Sequence, residues 1–160
     1  MSKIKVLFVC LGNICRSPMA EAIFRDKIKK RNLESFFEID SCGTSNYHIG
    51  ANADPRTIST ATKNGVDMDH CVRQLVKKDL NEYDYILAMD HSNHQNILRL
   101  SAIRKAKVFL MREFDPQGKG KEVPDPYYGD HTHFDDVYEI LDRSTEGLLE
   151  HIGQAEHIVA

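Results

Sequence analysis

Four short apolar segments, separated by segments with helical signals, constrain the fold of this chain more than any other feature. They span residues 4–9, 36–40, 85–89 and 106–110 and are rich in β-branched, aromatic and other large apolar residues. None alternates cleanly between polar and apolar positions, which is typical of strands buried on both faces of a parallel sheet. We therefore predict four parallel strands.

Helical signals fill the intervals between these strands. Ser17, followed by proline, is predicted as the N-cap of a helix reaching about residue 31, while Asp54 and Asp90 are predicted as N-caps of helices ending near residues 64 and 100. A fourth helix is predicted over about 134–157. The alternation predicts an α/β fold: a four-stranded parallel sheet flanked by helices on both faces, flavodoxin-like and doubly wound. In such folds ligands bind beyond the carboxyl ends of the strands, where the strand order reverses.

Composition limits the class of protein. The 160 residues are 41% hydrophobic and 28% charged, which predicts one soluble domain over residues 1–160. A net charge of −3 argues against a nucleic-acid partner, and no segment is long and apolar enough for a membrane helix. We expect a cytoplasmic protein with no membrane partner, in which the four cysteines are mostly thiols.

The first predicted strand leads directly into a loop that is suited to bind an anion. Its sequence over residues 10–17 is Cys-Leu-Gly-Asn-Ile-Cys-Arg-Ser, and a predicted helix follows. Backbone N–H groups and the positive end of a helix would meet there. Glycine and asparagine are the residues that most readily adopt the positive φ that such a loop requires. The predicted anion-binding residues are Leu11, Gly12, Asn13, Ile14, Cys15 and Ser17.

Cys10 and Arg16 add chemistry to this loop. A cysteine beside a helix N-terminus and a cation is favoured as the thiolate, which is the nucleophilic form. The planar guanidinium of Arg16 can bind two oxygens of a phosphate at once. The combination indicates transfer of a phosphoryl group to sulfur, without a metal ion or other cofactor. The alternative is that Cys10 is a buried thiol that merely ends a strand.

Asp125 is the candidate proton donor that such a reaction needs. Proline residues on both sides restrict its backbone, and two tyrosines follow. The alternative is a stiff surface turn without a chemical role.

The two motifs, residues 6–18 and residues 125–128, resemble the low-molecular-weight protein tyrosine phosphatases, and the resemblance covers nearly the whole chain. It implies that Cys10 is the nucleophile, Arg16 clamps the phosphate, and Asp125 is the general acid and then the base. The implied substrates are tyrosine-phosphorylated proteins or peptides, with phosphate and vanadate as active-site anions. We expect a monomer or a weak dimer.

The same resemblance assigns supporting residues. Asn13, Ser17, Ser41 and His70 match positions that hold the phosphate loop in place through hydrogen bonds. Without the resemblance, the sequence around His70 would predict an ordinary surface or core histidine.

Three tyrosines and a second cysteine are also assigned by resemblance. Tyr47, Tyr127 and Tyr128 match the aromatic walls of the substrate cleft. Cys15 resembles a partner that forms a reversible disulfide with Cys10 under oxidation. Its alternative role is that of a small apolar loop residue.

Other functions fit less well. Arsenate reduction needs relay cysteines, and residues 80–100 contain none. Rhodanese-like loops do not pair with an Asp-Pro-Tyr-Tyr motif, and a phosphotyrosine reader without turnover needs no acid. Histidines at 91, 94, 131 and 133 lack a cysteine pair at zinc spacing, so we predict that they are solvated.

Charge is unevenly distributed along the chain. Residues 1–32 carry a net charge of +6, and residues 122–142 carry −7. Most of these charged residues are expected to lie on two solvated faces, with Arg16 and Asp125 as exceptions. The acidic one surrounds Asp125 and is expected to disfavour acidic phosphopeptides.

Overall fold

A four-stranded parallel sheet forms the centre of the computed structural model, which describes residues 2–158. The strands are β1 (Ile4–Cys10), β2 (Phe37–Gly43), β3 (Tyr85–Ala88) and β4 (Lys107–Leu110). Their order is β2-β1-β3-β4, and every pair is parallel. The predicted parallel sheet is confirmed, and β1 lies at the point where the strand order reverses.

Helices cover both faces of the sheet, as predicted. They are α1 (Arg16–Lys30), α2 (Pro55–Lys63), α3 (Asp79–Glu82), α4 (His91–Leu100) and α5 (His131–Ala155). Short 3₁₀ helices span Glu34–Phe36 and Met111–Phe114. Because successive side chains of a strand point to opposite faces, β1 contributes to two apolar clusters. Phe8 packs in the cluster formed with α1 and α5, and Leu7 packs in the cluster that contains Leu80 and Ile97 of α3 and α4.

The beginnings of two helices differ from the sequence prediction. The N-cap of α1 is Cys15, not Ser17, because the Ser17 hydroxyl contacts the Cys10 sulfur instead. α5 begins at His131 rather than near residue 134, because Asp130 and His133 form a capping box at its first turn. His131 and His133 therefore lie on a helix rather than in a loop, and both are exposed, as predicted.

Two elements were incompletely predicted. β2 continues to Gly43, three residues beyond the predicted end, because it pairs with the whole length of β1. The four residues of α3 were not predicted, since one helical turn is too short to show an apolar period.

The oppositely charged segments meet where α1 packs against α5. The Lys27 ammonium lies 2.9 Å from the Asp142 carboxylate and 3.2 Å from that of Glu146, and Arg31 donates to both oxygens of Glu146. Asp142 belongs to the acidic segment and Glu146 lies just beyond it, so one ion pair, between Lys27 and Asp142, joins the two segments at this contact. No helix within residues 2–158 is long and apolar enough to cross a membrane.

Candidate active site

The loop between β1 and α1 lies over the carboxyl ends of the central strands. Thr44 N–H donates to the Cys10 carbonyl at 2.9 Å, and Met89 N–H donates to the Val9 carbonyl at 3.1 Å. The loop crosses Gly43 so closely that a Cβ atom there would lie 2.7 Å from the Leu11 carbonyl oxygen. Only glycine therefore allows the loop to take this path at the predicted switch point of the sheet.

The Cys10 sulfur lies at the centre of this loop. It is 2.9 Å from the Ser17 hydroxyl oxygen, and the Asn13 N–H donates to it at 3.2 Å. The N-cap residue Cys15 makes no side-chain hydrogen bond to the first turn of α1. The N-terminus of α1 is thus available to an anion held beside the sulfur.

Asn13 joins the loop to three other parts of the chain. Its φ is 57°, the left-handed conformation expected from the sequence. Its side-chain amide donates to the hydroxyls of Ser17 and Ser41 at 2.8 and 3.0 Å, and its side-chain oxygen accepts from the Arg73 N–H at 3.2 Å. His70 Nε2 lies 2.8 Å from the Asn13 carbonyl oxygen. The structure thus brings the predicted supporting residues Ser41 and His70 together around Asn13.

Two further charged residues in this network were not predicted. The Glu21 carboxylate is buried, accepts from the Ser41 hydroxyl at 2.6 Å and lies 3.8 Å from His70 Nδ1. The Arg73 guanidinium forms ion pairs with Asp40 and Asp79. A glutamate between two alanines on the first predicted helix was the available signal for Glu21. No comparable signal marked Arg73.

The Arg16 guanidinium is held in place from two sides. Its Nη1 donates to Asp90 at 2.8 Å and to the Val123 carbonyl at 3.0 Å. Its Nη2 lies 3.8 Å from the Asp125 carboxylate, and the side chain is only 4% exposed. Burial alone would lower the pKa of Arg16, but Cys10 and Asp90 raise it above its ordinary value, so the group stays cationic. Asp90 was predicted only as an N-cap, a role it also fills.

One cavity of about 320 Å³ opens onto these groups. Cys10 and Arg16 lie among its lining residues, with Asp125 beside them. Tyr127 and Tyr128 form part of the wall, with their rings 4.9 Å apart and nearly perpendicular. His48, which was not predicted, also lies on the wall. The complete lining is Cys10, Leu11, Gly12, Ile14, Cys15, Arg16, Tyr47, His48, Asp125, Tyr127 and Tyr128.

Cys15 differs from Cys10 in its surroundings. Burial raises the pKa of the Cys15 thiol to about 12, although the neighbouring Thr57 hydroxyl acts in the opposite direction. The Cys15 sulfur is therefore protonated at neutral pH. Its role as an oxidation partner of Cys10 stays a prediction.

Metal ligands are not grouped in the part of the chain that the structure describes. Within residues 2–158, no three His, Cys, Asp or Glu side chains are arranged to hold a metal ion.

Comparison with known proteins identifies the family. Residues 5–157 match the family described as low molecular weight phosphotyrosine protein phosphatase. The chain belongs to this family. A low molecular weight phosphotyrosine protein phosphatase of Schizosaccharomyces pombe is 48% identical over 151 residues, covering 93% of this chain and 97% of that protein. The predicted family is confirmed, and the chain is a hydrolase of the protein tyrosine phosphatase class.

Solved structures of related phosphatases share the fold. A protein tyrosine phosphatase from Entamoeba histolytica superposes with a TM-score of 0.91 at 40% identity, covering 96% of this phosphatase and 99% of that chain. A Drosophila arginine phosphatase superposes with a TM-score of 0.86 at 32% identity, covering 92% and 97% of the two chains. The predicted fold class is confirmed.

Proposed function

We propose that this phosphatase hydrolyses phosphotyrosine through a phosphocysteine intermediate on Cys10, with Arg16 as the phosphate clamp and Asp125 as the general acid and base. One observation carries the proposal: the Cys10 sulfur, the Arg16 guanidinium and the Asp125 carboxylate all line the same cavity. The three groups supply a nucleophile, a cation and a proton carrier.

In the first step, the Cys10 thiolate attacks phosphorus. The S–P bond forms while the bond from phosphorus to the tyrosine oxygen breaks, and that oxygen keeps the electron pair. Protonated Asp125 transfers its proton to the leaving oxygen. Arg16 and the inward-facing N–H groups of the loop hold the phosphoryl oxygens through the transition state.

In the second step, water removes the phosphoryl group from sulfur. The Asp125 carboxylate accepts a proton from the water molecule as its oxygen bonds to phosphorus. The S–P bond breaks, the electron pair returns to Cys10, and inorganic phosphate leaves. Asp125 is then protonated for the next cycle.

The shape of the cavity supports a flat aromatic substrate. Tyr47, Tyr127 and Tyr128 all line it, at 73%, 38% and 96% exposure, so a phenyl ring can pack against their rings while its phosphate reaches the loop. We propose that phosphoserine is a poorer substrate, because its shorter side chain carries no ring to pack against these tyrosines. Because one structural relative is described as an arginine phosphatase, phosphoarginine is the informative competitor. We propose tyrosine-phosphorylated proteins or peptides as substrates. Equal or higher kcat/KM on a matched phosphoarginine peptide would contradict this choice.

Replacing the nucleophile tests the covalent step. We expect Cys10→Ser to abolish hydrolysis of p-nitrophenyl phosphate and to retain phosphate binding, because the loop stays intact while the thiolate is lost. Rapid denaturing quench with ³²P-labelled substrate should trap protein with label bound to sulfur in the native chain and no sulfur-bound label in Cys10→Ser. Cys71→Ser is the matched control, since Cys71 is an exposed thiol outside the cavity lining. Full activity of Cys10→Ser would refute the mechanism.

Replacing the acid tests the proton transfer. We expect Asp125→Asn to lower kcat/KM by roughly 10²–10⁴-fold on phenyl phosphate, the usual contribution of general acid catalysis. The loss should be smaller on p-nitrophenyl phosphate, whose leaving group needs no proton. Equal losses across a leaving-group series would remove Asp125 from the acid role.

The absence of a metal requirement is a separate prediction. We expect turnover to be unaffected by chelators and to be inhibited by vanadate, which mimics five-coordinate phosphorus. The measurement is the initial rate after dialysis against EDTA, with and without added divalent metals. Restoration of a lost rate by a metal would contradict this prediction.

A further inference from the structure

The loop that carries Asp125 has few attachments to the rest of the molecule. Within residues 124–129 the hydrogen bonds are local: the Tyr127 N–H donates to the Asp125 carboxylate at 3.1 Å, and the Gly129 N–H donates to the Pro126 carbonyl at 2.8 Å. Throughout residues 2–158, this segment makes one ion pair and one hydrogen bond to another element. The ion pair is the 3.8 Å contact of Asp125 with Arg16. The hydrogen bond is donated by Arg56 Nη1 to the Gly129 carbonyl at 3.4 Å.

The Arg56 guanidinium also contacts an aromatic ring of the loop. Its guanidinium carbon lies 5.5 Å from the centre of the Tyr127 ring and 4.6 Å from that of Phe134, a buried residue of α5. Cations are attracted to the faces of aromatic rings at such distances. The arginine therefore bridges the exposed loop and the fixed first turns of α5.

The other side of Arg56 is fixed to the phosphate loop. Its Nε and Nη2 donate to the two oxygens of Asp54 at 3.0 and 2.8 Å, a planar two-point contact. The Asp54 N–H in turn donates to the Ile14 carbonyl at 2.9 Å. A short connection thus runs from the loop around Cys10, through Asp54 and Arg56, to the loop that carries Asp125.

We propose that Arg56 is a positioning residue that holds Asp125 at the distance and angle needed for proton transfer. Arg56 lies outside the cavity lining and touches no reacting atom, so it acts through Tyr127 and Gly129. The proposal rests on the proposed function, because it presupposes that Asp125 is the acid. Loss of the arginine leaves Asp125 present but poorly placed, and small misplacements of a catalytic group have large effects on rate.

Arg56→Met tests the proposal, with Lys63→Met as the matched control. Lys63 lies on the same helix, is exposed and forms an ion pair with Asp135 of α5, but it makes no hydrogen bond or ion pair to the acid loop. We expect Arg56→Met to lower kcat/KM on phenyl phosphate about tenfold or more and on p-nitrophenyl phosphate much less. Lys63→Met should leave both values near those of the native protein. The parameter kcat/KM is chosen because it covers the steps up to P–O cleavage, in which Asp125 acts as an acid.

A double variant separates positioning from general damage to the structure. In the Asp125→Asn background, Arg56→Met should cause no further leaving-group-dependent loss, because the group it positions is gone. Arg56→Lys should recover part of the rate, since it keeps the cation but not the two-point contact with Asp54.

Equal losses on both substrates, or an additive loss in the double variant, would overturn the proposal. If Asp125→Asn itself shows no leaving-group dependence, the proposed function fails; if it does and Arg56→Met does not, only the role of Arg56 fails.

Discussion

At the scale of single residues, Asn13 shows how one side chain can fix a loop. Two other non-glycine residues within 2–158, Asn32 and His157, share its φ of 57°, but both lie just beyond the end of a helix. Asn13 is fully buried, and its amide makes three hydrogen bonds. Its backbone conformation is thus held by contacts with distant parts of the chain rather than by a helix end.

This difference predicts unequal effects of two similar substitutions. Asn13→Ala should lower the free energy of unfolding by about 2–4 kcal/mol, because it leaves buried partners unpaired and retains a strained φ. Asn32→Ala is the control, because Asn32 is exposed with the same φ; it should cost only about 1 kcal/mol. Urea unfolding of both variants measures the difference. Similar losses in the two would mean that the buried hydrogen bonds contribute little.

At the scale of elements, the contact between α5 and the 3₁₀ helix Met111–Phe114 depends on a glycine. A Cβ atom at Gly147 would lie 2.0 Å from the Phe114 carbonyl oxygen, whereas one at Gly153 of the same helix would meet its nearest atom, the Ile158 carbonyl oxygen, at 3.2 Å. The helix can therefore approach this backbone closely only at Gly147.

Alanine substitutions in α5 test that contact. Gly147→Ala should lower the free energy of unfolding by about 2 kcal/mol or more, because backbone atoms must shift to admit the new methyl group. Gly153→Ala should change it by less than about 1 kcal/mol, since the better helix propensity of alanine offsets a tight contact. Thermal and urea unfolding of the pair provide the comparison. Equal effects would show that the α5 contact is not close-packed at Gly147.

The elements also show what the sequence can predict and what it cannot. The central strands were predicted because burial on both faces removes alternation from their sequences, as in residues 4–9. The edge strand β4 was expected to be buried as well, but none of its residues is fully buried. The residues of the candidate site that adjoin one another, from Cys10 to Ser17, were found because one strand-loop-helix unit holds them. Glu21, Arg73 and Arg56 were missed, because their roles depend on contacts with elements far away along the chain. Asp90 could have been found, since it follows a predicted strand at the edge of the sheet where Cys10 also lies.

At the scale of the whole molecule, buried carboxylates link stability to pH. Asp115 is buried and accepts from Arg112 and from Arg143 of α5. Burial alone would raise the pKa of Asp115, but hydrogen bonds from Arg143, from the Gln117 backbone and from Arg112 hold it below its ordinary value. The folded state therefore favours the ionised form more than the unfolded state does.

Because folding lowers the pKa of Asp115, its contribution to stability is lost as the pH falls. A carboxyl group whose pKa is lowered by folding stabilises the protein above its unfolded pKa of about 4, and that contribution disappears as the pH falls through the lower, folded value. We expect the free energy of unfolding of the native chain to fall from pH 5 to pH 3, and that of Asp115→Asn to fall less steeply. Asp136→Asn, at an exposed position of α5, is the control and should keep the native slope. Urea unfolding at pH 7, 5 and 3 measures the slopes, and an unchanged slope in Asp115→Asn would exclude this linkage.

The packing of α1 against α5 has a consequence for biosynthesis. Phe24 and Ile28 of α1 share one apolar cluster with Leu148 and Ile152 of α5, although more than 100 positions separate the two helices in the sequence. During synthesis on the ribosome, the apolar face of α1 emerges long before residues 131–155 have been made to cover it. We therefore expect the apolar face of α1 to remain exposed to solvent and to other molecules until α5 has been translated.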